Sequence, residues 1–134
     1  MDATTTLTVR VEPVEQARDR IRARLEAIDQ GAAPEDRSVL ILKSEADLAR
    51  VFSEKNMELI RTIAEHEPAS MRETARLVGR GIAEVSANLN ELEALGVIRF
   101  EQDGRSKRPV IWYDEIDVEI PLPTKDSGRK EAPA

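Results

Sequence analysis

The stretch SMRETARLVGRGIAEVSANLNELEALG (residues 70–96) decides the fold. Ser70 and Glu73 have the S-x-x-E spacing of a helix start. The hydroxyl accepts one orphan backbone N–H while the carboxylate reaches back to another. A short helix over 71–78 follows, and Gly79-Arg80-Gly81 breaks it. Ile82, Val85, Leu89, Leu92 and Leu95 then recur at helical spacing until Gly96 stops the pattern. Two helices joined by so short a glycine turn make a helix-turn-helix, because a glycine backbone lets the pair cross at a steep angle.

Upstream, KNMELIRTIAEHEP (55–68) predicts a helix with Met57, Ile60, Ile63 and Ala64 on one face, ended by Pro68. Downstream, VIRFEQ (97–102) reads as a strand, Asp103-Gly104 as a turn, and PVIWY (109–113) as the return strand. Three helices followed by a hairpin are the order of a winged helix-turn-helix, an α+β fold. The apolar side of the third helix (82–95) anchors it, which frees the opposite side for a DNA groove. That side holds Arg80, Glu84, Ser86, Ala87, Asn88, Asn90 and Glu91. Asparagine pairs bidentately with adenine, serine bonds several base edges, and a small alanine permits close approach to a thymine methyl. Arg72, on the preceding helix, is counted with these DNA-facing candidates.

The hairpin (99–112) is the expected wing. Its tip carries Arg105, Lys107 and Arg108, in a chain whose formal net charge is -6. Overall acidity disfavours indiscriminate coating of nucleic acid, since like charges repel phosphates. A local cationic tip beside the third helix is suited to straddling the backbone of double-stranded DNA.

The remaining sequence is read around this unit. TTLTVRVE (5–12) alternates as a half-buried strand, and after Pro13 a helix places Val14, Ala17, Ile21, Leu25 and Ile28 in one stripe. This strand-helix segment, 1–37, is an extension of the domain at 38–122. Its stripe suits packing on its own domain or against the same helix of a second subunit; we take the homodimer as the expectation. SVLILKS (38–44) predicts a short buried strand, 45–53 a short helix and 117–122 a last strand, while 123–134 has the composition of a disordered tail.

Composition excludes more than it assigns. With no cysteine there is neither a disulfide nor a thiolate metal site. His66 is the only histidine and stands beside Glu65 and Glu67 at a helix end, so it offers no Ser/His/Asp set and, alone, no metal centre. No glycine-rich phosphate cradle is present. The expectation is a protein that is not an enzyme and takes no cofactor. No apolar run approaches the roughly 18–20 residues of a membrane span, and the start has no signal-peptide pattern, so the expected location is cytoplasmic, away from membranes. Lysine occurs at only five positions (43, 55, 107, 125 and 130), leaving fifteen arginines. That composition fits a halophilic source and equally a GC-rich genome.

Residues 38–122 resemble a group of winged-helix transcriptional regulators, common in haloarchaea, also found in bacteria, and akin to MarR-like repressors. The residues carrying the resemblance are Gly79-Arg80, Val85, Leu89, Leu92-Glu93-x-Leu95-Gly96-Val97-Ile98, Gly104-Arg105, and Tyr113-Asp-Glu-Ile-x-Val-Glu-Ile-Pro. It implies an archaeal DNA-binding regulator of transcription. Ala87 and Asn88 depart from the Arg or His and the Asp common there, which implies a different target sequence. Some bacterial relatives resemble antitoxins. That implies a second reading, in which the chain covers a small toxin and binds DNA to regulate its own operon.

Overall fold

A computed structural model describes residues 5–33 and 38–123. Among the described residues the protein is a mixed α/β fold of five helices and two small sheets. In chain order the elements are β1 (Thr6–Val11), α1 (Val14–Asp29), β2 (Ser38–Leu42), α2 (Glu45–Val51), α3 (Glu54–His66), α4 (Met71–Val78), α5 (Ile82–Ala94), β3 (Arg99–Asp103), β4 (Ser106–Val110) and β5 (Glu115–Glu119). The expected disordered tail lies outside the described residues from 124 onward, as do residues 34–37 of the segment before β2.

β1, β2 and β5 form a parallel sheet in the order β2-β1-β5, with Val9 level with Leu40 on one side and Val118 on the other. Segment 1–37, read from sequence as an extension, therefore supplies the central strand of the sheet. The expected half-burial of that strand is also corrected. Leu7, Val9 and Val11 face the helices, while Thr8 and Glu12 are buried as well. A central parallel strand is covered on both faces and normally advertises this by a continuous apolar run; the alternating threonines and arginine conceal it here. Conversely, the apolar SVLIL segment is an edge strand, exposed at Ser38 and Val39 and buried only at Leu42.

The core joins the inner face of this sheet to α2, α3, α4 and α5. It is built from Leu7, Val9, Val11, Leu42, Val51, Leu59, Ile60, Ile63, Ala75, Val85, Leu89, Leu92, Val97, Ile98 and Tyr113. In α3 the buried set is Asn56, Leu59, Ile60 and Ile63, whereas Ala64 is exposed. Leu59, absent from the expected face, is fully buried because the i, i+3, i+4, i+7 stripe runs from Asn56. Asn56 is satisfied there by donating to the carbonyl of Val51 at 3.0 Å. Tyr113 donates its hydroxyl to the carbonyl of Val97 at 2.7 Å, tying the segment before β5 to the strand entry after α5. Burial pushes its pKa up.

Outside the core, Glu12 joins β1 to α1 and, through Arg10, to β5. Its carboxylate accepts from Arg20 of α1 and from Arg10, and Arg10 also pairs with Glu119 of β5 at 2.8 Å. The site is shallow, closed off from water by the two guanidinium groups rather than by depth. Burial pushes the Glu12 pKa up, but the hydrogen bonds and charges of Arg20 and Arg10 outweigh it and hold the group below its ordinary value. A carboxylate with a depressed folded pKa contributes stability in full above its unfolded value and loses it as pH falls through the folded one. Glu12→Gln is therefore expected to cost about 2 kcal/mol at pH 7 and to flatten the loss of stability in acid below the ordinary glutamate value of 4.5. Urea unfolding of both proteins from pH 7 to pH 3 checks this. Parallel curves across that range would rule it out.

Candidate functional site

The α4–α5 pair is shaped by its turn residues. Ser70 caps α4, its Oγ accepting from the Glu73 N–H at 3.0 Å, and Glu73 reaches back to the N–H of Ala69 at 2.8 Å. Gly79 ends α4 in the left-handed region at φ 70, and Arg80 N–H returns to the carbonyl of Ala75. A side chain at that φ is disfavoured, and this is why glycine stands here. Gly81 then starts α5. In the β3–β4 hairpin Asp103 faces Ser106, so the turn is Gly104-Arg105 with a left-handed residue only at its first position, φ 64 for Gly104.

These elements enclose an open groove of about 510 Å³, lined by Ser70, Met71 and Arg72 at the start of α4, Ile82, Ser86 and Asn90 on α5, and Arg105, Ser106 and Lys107 on the hairpin. Of the sequence-derived candidates, it brings together Arg72, Ser86, Asn90, Arg105 and Lys107. Asn90 Nδ2 lies 3.5 Å from Ser86 Oγ. The Lys107 ammonium sits 5.5 Å from the Phe100 ring centroid, which holds its stem against the hairpin. Arg72, Arg105 and Lys107 form no ion pair among the described residues.

The other candidates lie elsewhere. Arg80 turns inward onto α3, with a side chain only 13% exposed. It donates to the Lys55 carbonyl at 3.0 Å and pairs with Glu58 and Glu84, each at 3.5 Å. Glu84 also meets Lys55 at 3.5 Å, and Glu91 pairs with Arg50. Asn88 shares that side of α5 and is half-buried. Glu84 and Glu91, expected on the DNA-facing side, thus have cationic partners on α2, α3 and the α4–α5 turn. On the hairpin, Arg108 pairs with Glu101 directly across the strands, at 2.5 Å. Arg80→Ala is expected to cost on the order of 1–2 kcal/mol by removing the α3–α5 clamp, checked by thermal melting. A melt identical to the parent would show that the clamp carries no stability.

Ala87 stands diametrically across α5 from the buried Val85, Leu89 and Leu92. It belongs to an exposed stripe, Ala83-Ala87-Asn90-Ala94, at i, i+4, i+7 and i+11. Ala83 and Ala94 went unnoticed in the sequence because alanine is unremarkable in a helix. A wheel drawn from the buried leucines would have found them. The stripe leaves the outward side of α5 flat, so another surface can approach its backbone closely.

The five stripe residues first assigned to dimerisation divide. Ala17 is buried and Ile28 half-buried, whereas Val14, Ile21 and Leu25 are 51%, 43% and 61% exposed. No described helix is long and apolar enough to cross a membrane.

No curated protein matches the chain. The profile of the HVO_A0114 family matches residues 51–118, just over half of the 134 residues, running from the end of α2 through the groove elements into β5. The α3–α5 unit, its hairpin and the strand that returns to the sheet are thus the shared part, and the chain belongs to the HVO_A0114 family, a haloarchaeal family.

Proposed function

We propose that the protein is a DNA-binding transcriptional regulator of the winged helix-turn-helix type. In this reading α5 enters the major groove with its alanine stripe, Ser86 and Asn90 toward the bases, and the β3–β4 hairpin is the wing on the phosphate backbone. The observation that carries it is the groove, where three cations without ion-pair partners among the described residues, Arg72, Arg105 and Lys107, surround a flat polar helix face. Two of the three acids of α5 support it, because Glu84 and Glu91 are engaged on the far side, while Glu93 has no ion-pair partner among the described residues. Arg80 then acts as a clamp that sets the angle of α5, and Arg108 as a brace of the wing.

Three phosphate contacts predict that log K for binding falls with log[salt] with a slope of at least about -2.7, at roughly -0.9 per phosphate. Selection of bound fragments from sheared genomic DNA, followed by titration of the recovered sequence at several salt concentrations, tests both parts. Recovery of a common sequence with that slope is the expected result. No enrichment, together with a flat salt response, would remove DNA binding as the function.

A further inference from the structure

Two exposed apolar features lie away from the groove, and the topology sets them side by side. β2 is hydrogen-bonded to β1 alone, so its other backbone edge is unpaired among the described residues. Natural edge strands are blunted by charge, proline or bulges; SVLIL has no charge and no proline. The opposite edge, β5, reads EIDVE, with acids at 115, 117 and 119. Antiparallel pairing of two β5 edges about Asp117 sets carboxylate against carboxylate. Antiparallel pairing of two β2 edges about Leu40 sets Val39 opposite Ile41 and Ser38 opposite Leu42, with no charge opposed.

The second feature is the flank of α1. Parallel strands joined by a helix cross over right-handedly, and Arg20 fixes how this helix is rotated. Its bond to Glu12, at the end of β1, places the Arg20 flank over β1. Val14, Ile21 and Leu25 lie roughly 120° around the helix from Arg20, at 3.6 residues per turn, on the side of the β2 edge. A crossover helix rides over the gap between its two strands. Across a β2–β2 junction two such helices stand two strand spacings apart, about 9.5 Å, which matches the 8–10 Å at which helices pack. Leu40 is the middle of β2 and Ile21 is near the middle of α1, so a single two-fold axis serves both.

We propose that a second copy of this chain occupies this surface, forming a continuous six-stranded sheet through paired β2 edges, with two antiparallel α1 helices packed above it on Val14, Ile21 and Leu25. The dimer expected through α1 thereby becomes one held by a composite strand-and-helix seam. It stands apart from the groove, so it survives or fails independently of the DNA reading.

Light scattering on the full chain tests it, with twice 15.0 kDa expected. Ile21→Glu/Leu25→Glu and, separately, Val39→Glu are each expected to halve the mass, while Val118→Glu on the β5 edge leaves it doubled. All four positions are exposed, so the variants keep the fold, which far-UV circular dichroism verifies. In the wild type, amides 38–42 are expected to exchange more slowly at high than at low protein concentration. A monomeric wild type, one that pairs only with a foreign protein, either seam variant remaining dimeric, a monomeric Val118→Glu, or concentration-independent exchange of β2 would each overturn the proposal.

Discussion

Leu89→Ala is expected to lower the unfolding free energy by about 3–4 kcal/mol, the cost of a buried leucine truncation that leaves a cavity behind. Leu89 has no solvent exposure and lies between Val85 and Leu92 on the face of α5 that closes the core. It belongs to the buried cluster that also takes in Leu59, Ile60 and Ile63 of α3, Ala75 of α4, and Val97 and Ile98 directly after the Gly96 turn. A rigid surround of that kind relaxes little into the space left by the lost methyls. Against a typical total of about 5–15 kcal/mol, the loss removes a large share of the stability, and the melting temperature is expected to fall on the order of 10–15 °C. Leu77→Ala is the control. That leucine is 46% exposed, and its truncation is expected to stay within about 0.5 kcal/mol. Urea unfolding of both variants gives the comparison. A Leu89 penalty no larger than that of Leu77 would mean that α5 is not anchored by this face. Well below its melting point the folded Leu89→Ala protein is expected to bind DNA like the parent, because the lost side chain points away from the groove.

The helical part of this fold was legible because its signals are local. Ser70 with Glu73, the glycines at 79, 81 and 96, and the leucine spacing of α5 each act within a few residues, and each did what local physics dictates. The hairpin was readable too, but its turn is Gly104-Arg105 rather than Asp103-Gly104, and the return strand is Ser106–Val110 rather than 109–113, because the two-residue loop pairs Asp103 with Ser106 immediately. What escaped was non-local. That β1 lies between two strands about 30 and 110 residues later in the chain cannot be seen in an alternating TLTVRV, which looks the same at an edge. The site showed the same division. Arg105, Lys107, Ser86 and Asn90 could be placed from spacing alone. The inward turn of Arg80 and the pairing of Arg108 depend on acids brought in from α3 and from the facing strand, and no spacing reveals whether a surface arginine already has a partner.

That difference between paired and unpaired cations gives the sharpest test of the groove. Arg105→Ala/Lys107→Ala is expected to make the slope of log K against log[salt] shallower by about 1.8 and to weaken binding roughly 30-fold near 0.15 M salt, since each phosphate contact contributes about 0.9 to the slope. Arg108→Ala is expected to change the slope by much less than one contact, because its guanidinium is held by Glu101. Glu101→Ala should release Arg108 and steepen the slope instead. The penalty of the double variant is expected to shrink as salt rises and to vanish near 1 M, where counterion release no longer favours binding and exposed charges are screened beyond about 3 Å. Binding that persists there must come from the close-approach face of α5, Ser86 and Asn90 along the alanine stripe. Ala87→Glu, a bulky anion placed on that stripe, is then expected to abolish binding at both low and high salt without lowering the melting temperature. If the double variant instead keeps the wild-type slope, the hairpin does not touch DNA and the cationic groove serves another ligand. If the slope falls as expected but Ala87→Glu still binds, the contact is a backbone-only one, and the face of α5 reads no sequence.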